Sequence, residues 1–365
     1  MGKRIIIAGG GTGGHIFPAI AIANALKKAD SSIEILFVGA KGKMEMEKVP
    51  QAGYKIEGLD IAGFNRSSLI KNTSLPFKLI KSFFQVRSIF KAFKPDAVIG
   101  VGGYSSFPVL RLAQSKGIPS FIHESNSFAG KSNILLGKKA TAVFTGTDGM
   151  EKFFPPEKIL VTGNPVRASI AQSMVSKAEG CEHFSLDEKK KTLLVIGGSL
   201  GAKSINEAID KHLDELLGAG LQLIWQTGKP YAAKAEVSVA GKSAVWVNDF
   251  ITKMEYAYAA ADIVVARAGA MTVAELCVVK KPVLFVPYPY AAEDHQTVNA
   301  TQLVNKQAAL MIKDSEAIDK VVPMAIALAA DENKQAELKK NIAALAITDA
   351  DKIIAEAILK KLNAK

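Results

Sequence analysis

The chain has 365 residues, which at roughly 150 residues per domain excludes a single small module and points to two domains. With 48% apolar and 22% charged residues it is neither a disordered nor a collagen-like or mucin-like polymer, and it has material for two buried cores. Forty-six basic residues against 35 acidic ones leave a net charge of +11, which favours an anionic partner: a nucleic acid, a phosphorylated substrate or a membrane surface.

From the N-terminus, the first element is KRIIIAGG. Its apolar run, Ile5 to Ala8, is too short for a signal-peptide core, and Ile6 stands where a myristoylation signal needs Ser or Thr. Similar β-branched runs ending in glycine or polar turns follow as IEILFVGA, DAVIGVGG, PSFIHES, TAVFTGT and KILVTGNP, with helix-like stretches between most of them. This alternation predicts a parallel sheet with crossover helices up to about residue 163. After a polar, Lys-rich stretch from Ser173 to Lys191 the pattern restarts as KTLLVIGG, LQLIWQTG, SAVWVNDF, ADIVVARAG, PVLFVPYP and AALMIKD. The expected architecture is α/β, with two doubly wound parallel-sheet domains over residues 1–165 and 166–345 and a tail, 346–365, holding one amphipathic helix from Asp349 to Leu362. Open α/β sheets bind ligands beyond the carboxyl ends of their strands, so two such domains facing each other are expected to enclose a cleft. No run of 18 apolar residues occurs, so membrane contact is expected to be peripheral. Cys181 and Cys277 lie far apart and outside any CxxC or Cys/His spacing, which speaks against a disulfide framework or a zinc site and for a reducing cytosol.

The loop Gly9-Gly10-Gly11-Thr12-Gly13-Gly14 fits GxGxxG between a strand and the helical run FPAIAIANALKK. A nicotinamide or flavin site would want an acid at the end of the second strand, and that strand ends Val38-Gly39-Ala40-Lys41. Alone, the loop also reads as a tight turn that needs glycine for backbone reasons. His15 adds to it, because at a helix start an imidazole tends to stay neutral and can act as a base, while exposed N–H groups attract anions. Gly130-Lys131-Ser132 and Gly241-Lys242-Ser243 lack the earlier glycine of a Walker A loop. Asp349-Ala350-Asp351, the one D-x-D triplet, opens the final helix as caps, so no metal is expected. In the second half, Gly197-Gly198-Ser199-Leu200-Gly201 suits a phosphate, as does Arg267-Ala268-Gly269-Ala270-Met271-Thr272-Val273-Ala274-Glu275, where Thr272 and Glu275 also read as a capping box. Two such helix starts would make a diphosphate cradle.

GGGTGGHIFPAIAIA, GVGGYSSFP, IHESN, TGNPVR, GGSLGA, FITKM, ARAGAMTVAE and DHQTVNA follow one another over residues 3–345. In order and spacing this set resembles the MurG family, bacterial UDP-N-acetylglucosamine:N-acetylmuramyl-(pentapeptide) pyrophosphoryl-undecaprenol N-acetylglucosamine transferases. The resemblance implies a GT-B fold of two Rossmann-like domains, the C-terminal one holding the UDP-GlcNAc donor and the N-terminal one meeting acceptor and membrane. It implies that Thr12, Gly13, Gly14 and Asn126 approach the donor sugar and diphosphate, and that Arg167, Ser199 and Ile251 bind the UDP portion. Ala270, Met271, Thr272, Val273, Ala274 and Glu275 would lie along ribose and phosphates, with Glu275 accepting ribose hydroxyls, and Gln296 would hydrogen-bond the GlcNAc hydroxyls. Two positions depart from the family, which usually has Gln where Ser125 and Leu200 stand.

The implied reaction moves GlcNAc from UDP-GlcNAc to the 4-hydroxyl of MurNAc in lipid I, giving lipid II with inversion, without a cofactor. Through peptidoglycan synthesis it would serve cell shape and division. An inverting displacement needs a base on the acceptor hydroxyl; His15 is the first candidate and Glu124 the second, although Glu124 also reads as an acid that fixes its loop. A UDP-GlcNAc 2-epimerase and a non-catalytic sugar-nucleotide sensor share parts of the pattern, the first needing no lipid surface and the second no His15. Because lipid I carries an undecaprenyl anchor, the resemblance places the chain at the cytoplasmic face of the bacterial inner membrane. Anionic lipid and cell-wall synthesis proteins are then the expected partners, and nucleic acid is not. From Ile61 to Pro95 there are seven basic residues (Arg66, Lys71, Lys78, Lys81, Arg87, Lys91, Lys94), no acidic one and six phenylalanines, Phe64 among them. The expected membrane surface is a basic rim, Lys78 and Lys81, around Leu75, Leu79 and Phe83; packing of this helix on the N-terminal sheet is the ordinary alternative.

Overall fold

A computed structural model describes residues 2–63, 73–198 and 200–364. The chain divides into two compact units, Met1–Arg167 with Thr348–Lys365, and Ala168–Ile347. The first unit runs β1 (Arg4–Ala8), α1 (Gly13–Ala29), β2 (Glu34–Ala40), α2 (Glu45–Gln51), β3 (Lys55–Leu59), α3 (Leu75–Phe93), β4 (Ala97–Gly100), α4 (Ser106–Ser115), β5 (Ser120–Glu124), α5 (Lys131–Gly137), β6 (Ala142–Thr145) and β7 (Ile159–Val161). Its strands pair in parallel in the order β3-β2-β1-β4-β5-β6-β7. Parallel neighbours need crossovers, and these lay helices over both faces of the sheet, which is why β1 can be a continuous apolar run. Ile5 and Ile7 pack with Ile16, Ile22 and Leu26 of α1, while Ile6 and Ala8 pack with Val86 and Phe90 of α3 and Val109 and Leu110 of α4. The seventh strand, β3, lies at the edge of the sheet and is the one the sequence does not announce.

The second unit runs α6 (Ala168–Ala171), α7 (Lys177–His183), β8 (Thr192–Ile196), α8 (Lys203–Lys211), α9 (Leu213–Gly218), β9 (Gln222–Gln226), α10 (Ala232–Ser238), β10 (Val245–Asn248), α11 (Met254–Ala260), β11 (Ile263–Ala266), α12 (Ala270–Val279), β12 (Val283–Phe285), α13 (His295–Asn305), β13 (Leu310–Met311), α14 (Ala317–Ala330) and α15 (Glu332–Ala343). Its strands, again all parallel, are ordered β10-β9-β8-β11-β12-β13, and one face is filled by Leu193, Val195, Ile205, Ile209, Trp225, Val265, Leu284 and Val321. The polar stretch between the two strand series folds in part as α7, closed by a reciprocal capping box between Ser176 and Glu179. The last helix, α16 (Ala350–Asn363), returns to the first unit, where Ile354, Ala355 and Ile358 join the α1 side of its core.

Each sheet reverses its winding once, between β1 and β4 and between β8 and β11. The loops leaving those strands diverge at their carboxyl ends, and such switch points are where doubly wound sheets admit ligands.

Candidate active site

In the first unit the switch point lies between the loops after β1 and β4. Gly9, Gly10 and Gly11 have φ of 152°, 144° and 89°, a region that side chains avoid. A Cβ on Gly10 would stand 2.3 Å from the Glu45 carboxyl carbon, and one on Gly103 would stand 2.4 Å from the Gly10 oxygen. The Gly10 amide donates to the Gly102 carbonyl at 3.2 Å, tying the two loops together. Glu45, only 1% exposed at the start of α2, was not singled out from the sequence. Its carboxylate accepts from the Gly11 amide at 2.8 Å and the Ala40 amide at 2.9 Å. An acid thus does reach the glycine loop, but both its oxygens are engaged by main chain, so it shapes the loop instead of meeting a ribose.

Thr12 is the extended N-cap of α1, and Gly13 and Gly14 form its first turn, where amides lack intrahelical acceptors. His15 follows, with Nδ1 3.0 Å from the Gly10 carbonyl oxygen. A carbonyl only accepts, so Nδ1 carries the hydrogen and, in the neutral ring, Nε2 carries the lone pair. A Cβ on Gly102 would stand 2.7 Å from that Nε2, so the glycine of the second loop is what lets the ring lie there.

At the end of β5, Glu124 is 4% exposed and its oxygens face four donors. Oε1 accepts from the Asn126 amide at 3.1 Å and Asn126 Nδ2 at 3.4 Å; Oε2 accepts from the Gly130 amide at 3.1 Å and Asn133 Nδ2 at 2.8 Å. The Ser125 carbonyl accepts from Asn164 Nδ2 at 3.0 Å, so the loop bearing Asn126 is held from both ends. His123, one residue earlier, is fully buried, and burial pushes its imidazole down to about 4. Arg167 closes the first unit with its guanidinium 5.2 Å from the centre of the Phe17 ring on α1.

In the second unit, the turn between β8 and α8 holds Gly198 at φ 81° and Gly201 at φ 75°, the Gly198 carbonyl accepting from Gln226 Nε2 at 2.9 Å and from the Gly201 amide at 2.9 Å. Ser199 lies outside the described residues, and Leu200, one of the two departures from the family pattern, is 80% exposed. Next to this turn, α12 begins at Ala270 with Gly269 as its N-cap and no side-chain cap bond. The Thr272–Glu275 capping box therefore does not form: Thr272 is the third residue of the helix and not its N-cap, and Glu275, 8% exposed, accepts from the Tyr258 hydroxyl at 3.0 Å. Ala270, Met271, Thr272, Val273 and Ala274 remain partly exposed around amides that no side chain caps. Ile251 follows β10 at the same end of the sheet and is 3% exposed as a whole residue. Gln296 lies in the first turn of α13, its Oε1 accepting from the Tyr288 amide at 3.0 Å, and Asn299 of the same helix donates to the Ala268 carbonyl at 3.1 Å, tying α13 to the start of α12.

The helix expected to meet a membrane is α3, and its outer face differs from the expectation. Phe83 is half-buried and edge-on to Phe107 at 6.5 Å, because it shares a face with the buried Val86 and Phe90. Leu75 is also half-buried, and Leu79 is 36% exposed. The apolar side chains that stand outward are Phe77, Ile80 and Phe84, at 77%, 57% and 68% exposure. Lys78 is exposed, while Lys81 pairs with Asp60 at 2.9 Å, an acid just before the basic run that Lys41 also meets at 3.0 Å. These two lysines hold the Asp60 carboxyl down at about 2. Phe64, Arg66 and Lys71 lie outside the described residues.

Two doubly wound parallel-sheet units, each with glycine turns and a helix start without a side-chain cap at its switch point, make up a GT-B fold. Two family descriptions match in tandem, Glycosyltransferase family 28 N-terminal domain over residues 5–145 and Glycosyltransferase family 28 C-terminal domain over 192–355. The chain belongs to glycosyltransferase family 28. It is 50% identical over 360 residues to a UDP-N-acetylglucosamine--N-acetylmuramyl-(pentapeptide) pyrophosphoryl-undecaprenol N-acetylglucosamine transferase of Phocaeicola vulgatus, covering 98% of this chain and 96% of that protein. A protein of the same description from Parabacteroides distasonis is 49% identical over 364 residues, covering 99% of each. Among solved structures, Acinetobacter baumannii MurG matches with a TM-score of 0.78 at 29% identity, over 98% of this chain and 99% of that one. A UDP-N-acetylglucosamine 2-epimerase matches with a TM-score of 0.68 at 15% identity, covering 100% of this chain and 98% of its own, a likeness of fold.

Proposed function

We propose that this chain transfers N-acetylglucosamine from UDP-GlcNAc to the 4-hydroxyl of the N-acetylmuramyl unit of lipid I, with inversion, to make lipid II for peptidoglycan. Beyond family membership, the observation that carries this is the 3.0 Å hydrogen bond from His15 Nδ1 to the Gly10 oxygen, because it makes Nε2 the basic atom at the head of α1. The acceptor hydroxyl gives its proton to Nε2 as its oxygen attacks C1 of the sugar from the side opposite UDP. The departing diphosphate gathers charge against the first-turn amides of α12 and the Gly198–Gly201 turn. Glu275 accepts ribose hydroxyls, Arg167, Ser199 and Ile251 hold the rest of the nucleotide, and Gln296 meets the sugar. Thr12, Gly13, Gly14 and Asn126 approach sugar and diphosphate from the first unit. Glu124 is a positioning residue, since four donors already occupy its oxygens.

Release of UDP from UDP-GlcNAc after addition of a soluble lipid I analogue tests this. Release that requires the acceptor is expected. Turnover of UDP-GlcNAc without acceptor would mark an epimerase, and donor binding with no turnover a sensor; either overturns the assignment.

The polyprenyl anchor of the acceptor brings catalysis to a membrane face, on the cytoplasmic side where the nucleotide donor is. No described helix is long and apolar enough to cross a membrane. The supporting element is α3, which is apolar outward in its first half and cationic in its second, where Arg87, Lys91 and Lys94 share a surface pocket with Arg4, Lys116 and a single acid, Asp96. Anionic headgroups favour each such cation by about 1 kcal/mol.

A further inference from the structure

We propose that Arg267 is a positioning residue for the donor sugar, acting through the main chain of residues 286–288 on the side-chain amide of Gln296. This rests on the assignment of Gln296 to the sugar made above. Arg267 leaves β11 just ahead of the α12 N-cap, yet its side chain turns away from the helix start, with 11% of it exposed. Nη1 donates to the Val286 carbonyl at 2.9 Å and the Pro287 carbonyl at 3.1 Å, and it meets Asp314 Oδ1 at 2.5 Å. Nη2 donates to Ser204 Oγ at 3.1 Å, and that hydroxyl also donates to Asp314 Oδ1 at 2.5 Å. The guanidinium carbon lies 5.5 Å from the centre of the Tyr288 ring. The planar fork thus pins two successive carbonyls of the loop leaving β12 and stacks on the residue after them, an arrangement a lysine cannot reproduce.

The next link is the Tyr288 amide, which donates to Gln296 Oε1 at 3.0 Å. A main-chain N–H can only donate, so the amide oxygen must face it and the Nε2 hydrogens must point the other way. Gln296 is thereby set as a donor toward the oxygen atoms of a hydroxylated ligand. If the loop were released, the amide could turn over and present its oxygen, and a sugar hydroxyl would meet an acceptor instead of a donor. The Arg267 guanidinium, with its neighbours Asp314 and Ser204, need not touch the substrate for this to matter.

The test is a double-mutant cycle on binding, with calorimetric Kd values for UDP-GlcNAc, UDP-GalNAc and UDP. It uses the full-length wild type, Arg267→Lys, Gln296→Ala and the double variant. Arg267→Lys should weaken UDP-GlcNAc binding about 10-fold, the scale of one misdirected hydrogen bond, and lower its preference over UDP-GalNAc. UDP, which has no sugar, should bind within about twofold of wild type, and in the Gln296→Ala background Arg267→Lys should change UDP-GlcNAc binding by less than about twofold. Ser204→Ala, which loosens the guanidinium from its far side, should move the same quantities less, and it carries the test if Arg267→Lys does not fold. Equal losses for UDP and UDP-GlcNAc would make Arg267 a nucleotide ligand, and additive effects in the cycle would separate it from Gln296; each overturns the proposal. A wild type that does not bind UDP-GlcNAc overturns the donor assignment and this inference together, whereas additive variants in a protein that binds it overturn this inference alone.

Discussion

The Gly10 carbonyl decides which nitrogen of His15 is basic, and a side chain that acts as the proposed base contributes to the transition state more than to binding. His15→Ala is expected to lower kcat by about 100-fold or more while UDP affinity stays nearly intact. Steady-state kinetics with a soluble acceptor, set beside calorimetry with UDP, check this; an unchanged kcat with a raised KM would make His15 a binding residue. His123 gives a pH dependence of stability. Its buried imidazole titrates at about 4, whereas in an unfolded chain it titrates near 6.5. Between those values the unfolded chain holds the extra proton, so stability is complete above about pH 6.5 and falls toward pH 4, by about 3 kcal/mol at most from this group. Urea unfolding from pH 7 to pH 4 should show the fall, and His123→Gln should flatten it; equal slopes in the two proteins would assign the acid sensitivity elsewhere. At this scale the sequence was legible where residue type sets the local backbone, as at the glycine loop, whose positive φ and close approaches need glycine. It was not legible where main-chain geometry does. Glu45 finds its partners in two backbone amides, which no residue type encodes. Ser176-x-x-Glu179 and Thr272-x-x-Glu275 have the same spelling, but only the first sits where its helix begins, because Gly269 starts the second helix three residues earlier.

Strands spelled as continuous apolar or β-branched runs announce themselves whether they are central or at an edge, which is why all six strands of the second sheet and six of the first could be read directly. β3 escaped because Lys55 and Glu57 alternate with partly covered Ile56 and Gly58, the pattern of an edge strand with one face toward water. The helical periodicity of α3 was legible too, but not which apolar stripe faces in. Val86 and Phe90 take Phe83 inward with them, and Phe77, Ile80 and Phe84 form a second stripe that the spacing alone did not single out. If α3 meets the membrane, replacing those three residues with serine should weaken binding to anionic liposomes by about 10-fold or more, with turnover of a soluble acceptor preserved. Phe83→Ser should instead act mainly on thermal stability, through the packing on Phe107. Lys78→Ala should reduce the salt-sensitive part of liposome binding more than Lys81→Ala, because Lys81 is already paired with Asp60. Liposome flotation across a salt series reads all of these, and undiminished binding of the triple serine variant would move the membrane surface to another element.

At the scale of the whole chain, the polypeptide passes between its two units twice, after Arg167 and after Ile347, so the last helix supports the unit that the first strand opens. Its amphipathic pattern was visible in the sequence, but its destination was not, because a period of 3.6 residues says which face is buried and not against what. Ile354, Ala355 and Ile358 are at most 1% exposed and lie in one cluster with Ile16, Ile22 and Leu26 of α1. Burying two isoleucine side chains is worth roughly 3–6 kcal/mol, a large share of the 5–15 kcal/mol that holds a typical domain together. A chain ending at Ile347 should therefore lose stability in the first unit while the second keeps its UDP affinity within about twofold. The two tryptophans make this separable, since Trp225 and Trp246 both belong to the second unit. Their fluorescence should report an unfolding midpoint close to that of the full chain, while circular dichroism, which sees the helices of both units, should gain an earlier transition. If fluorescence and dichroism moved down together by the same amount, α16 would be supporting a single cooperative body and not the first unit alone.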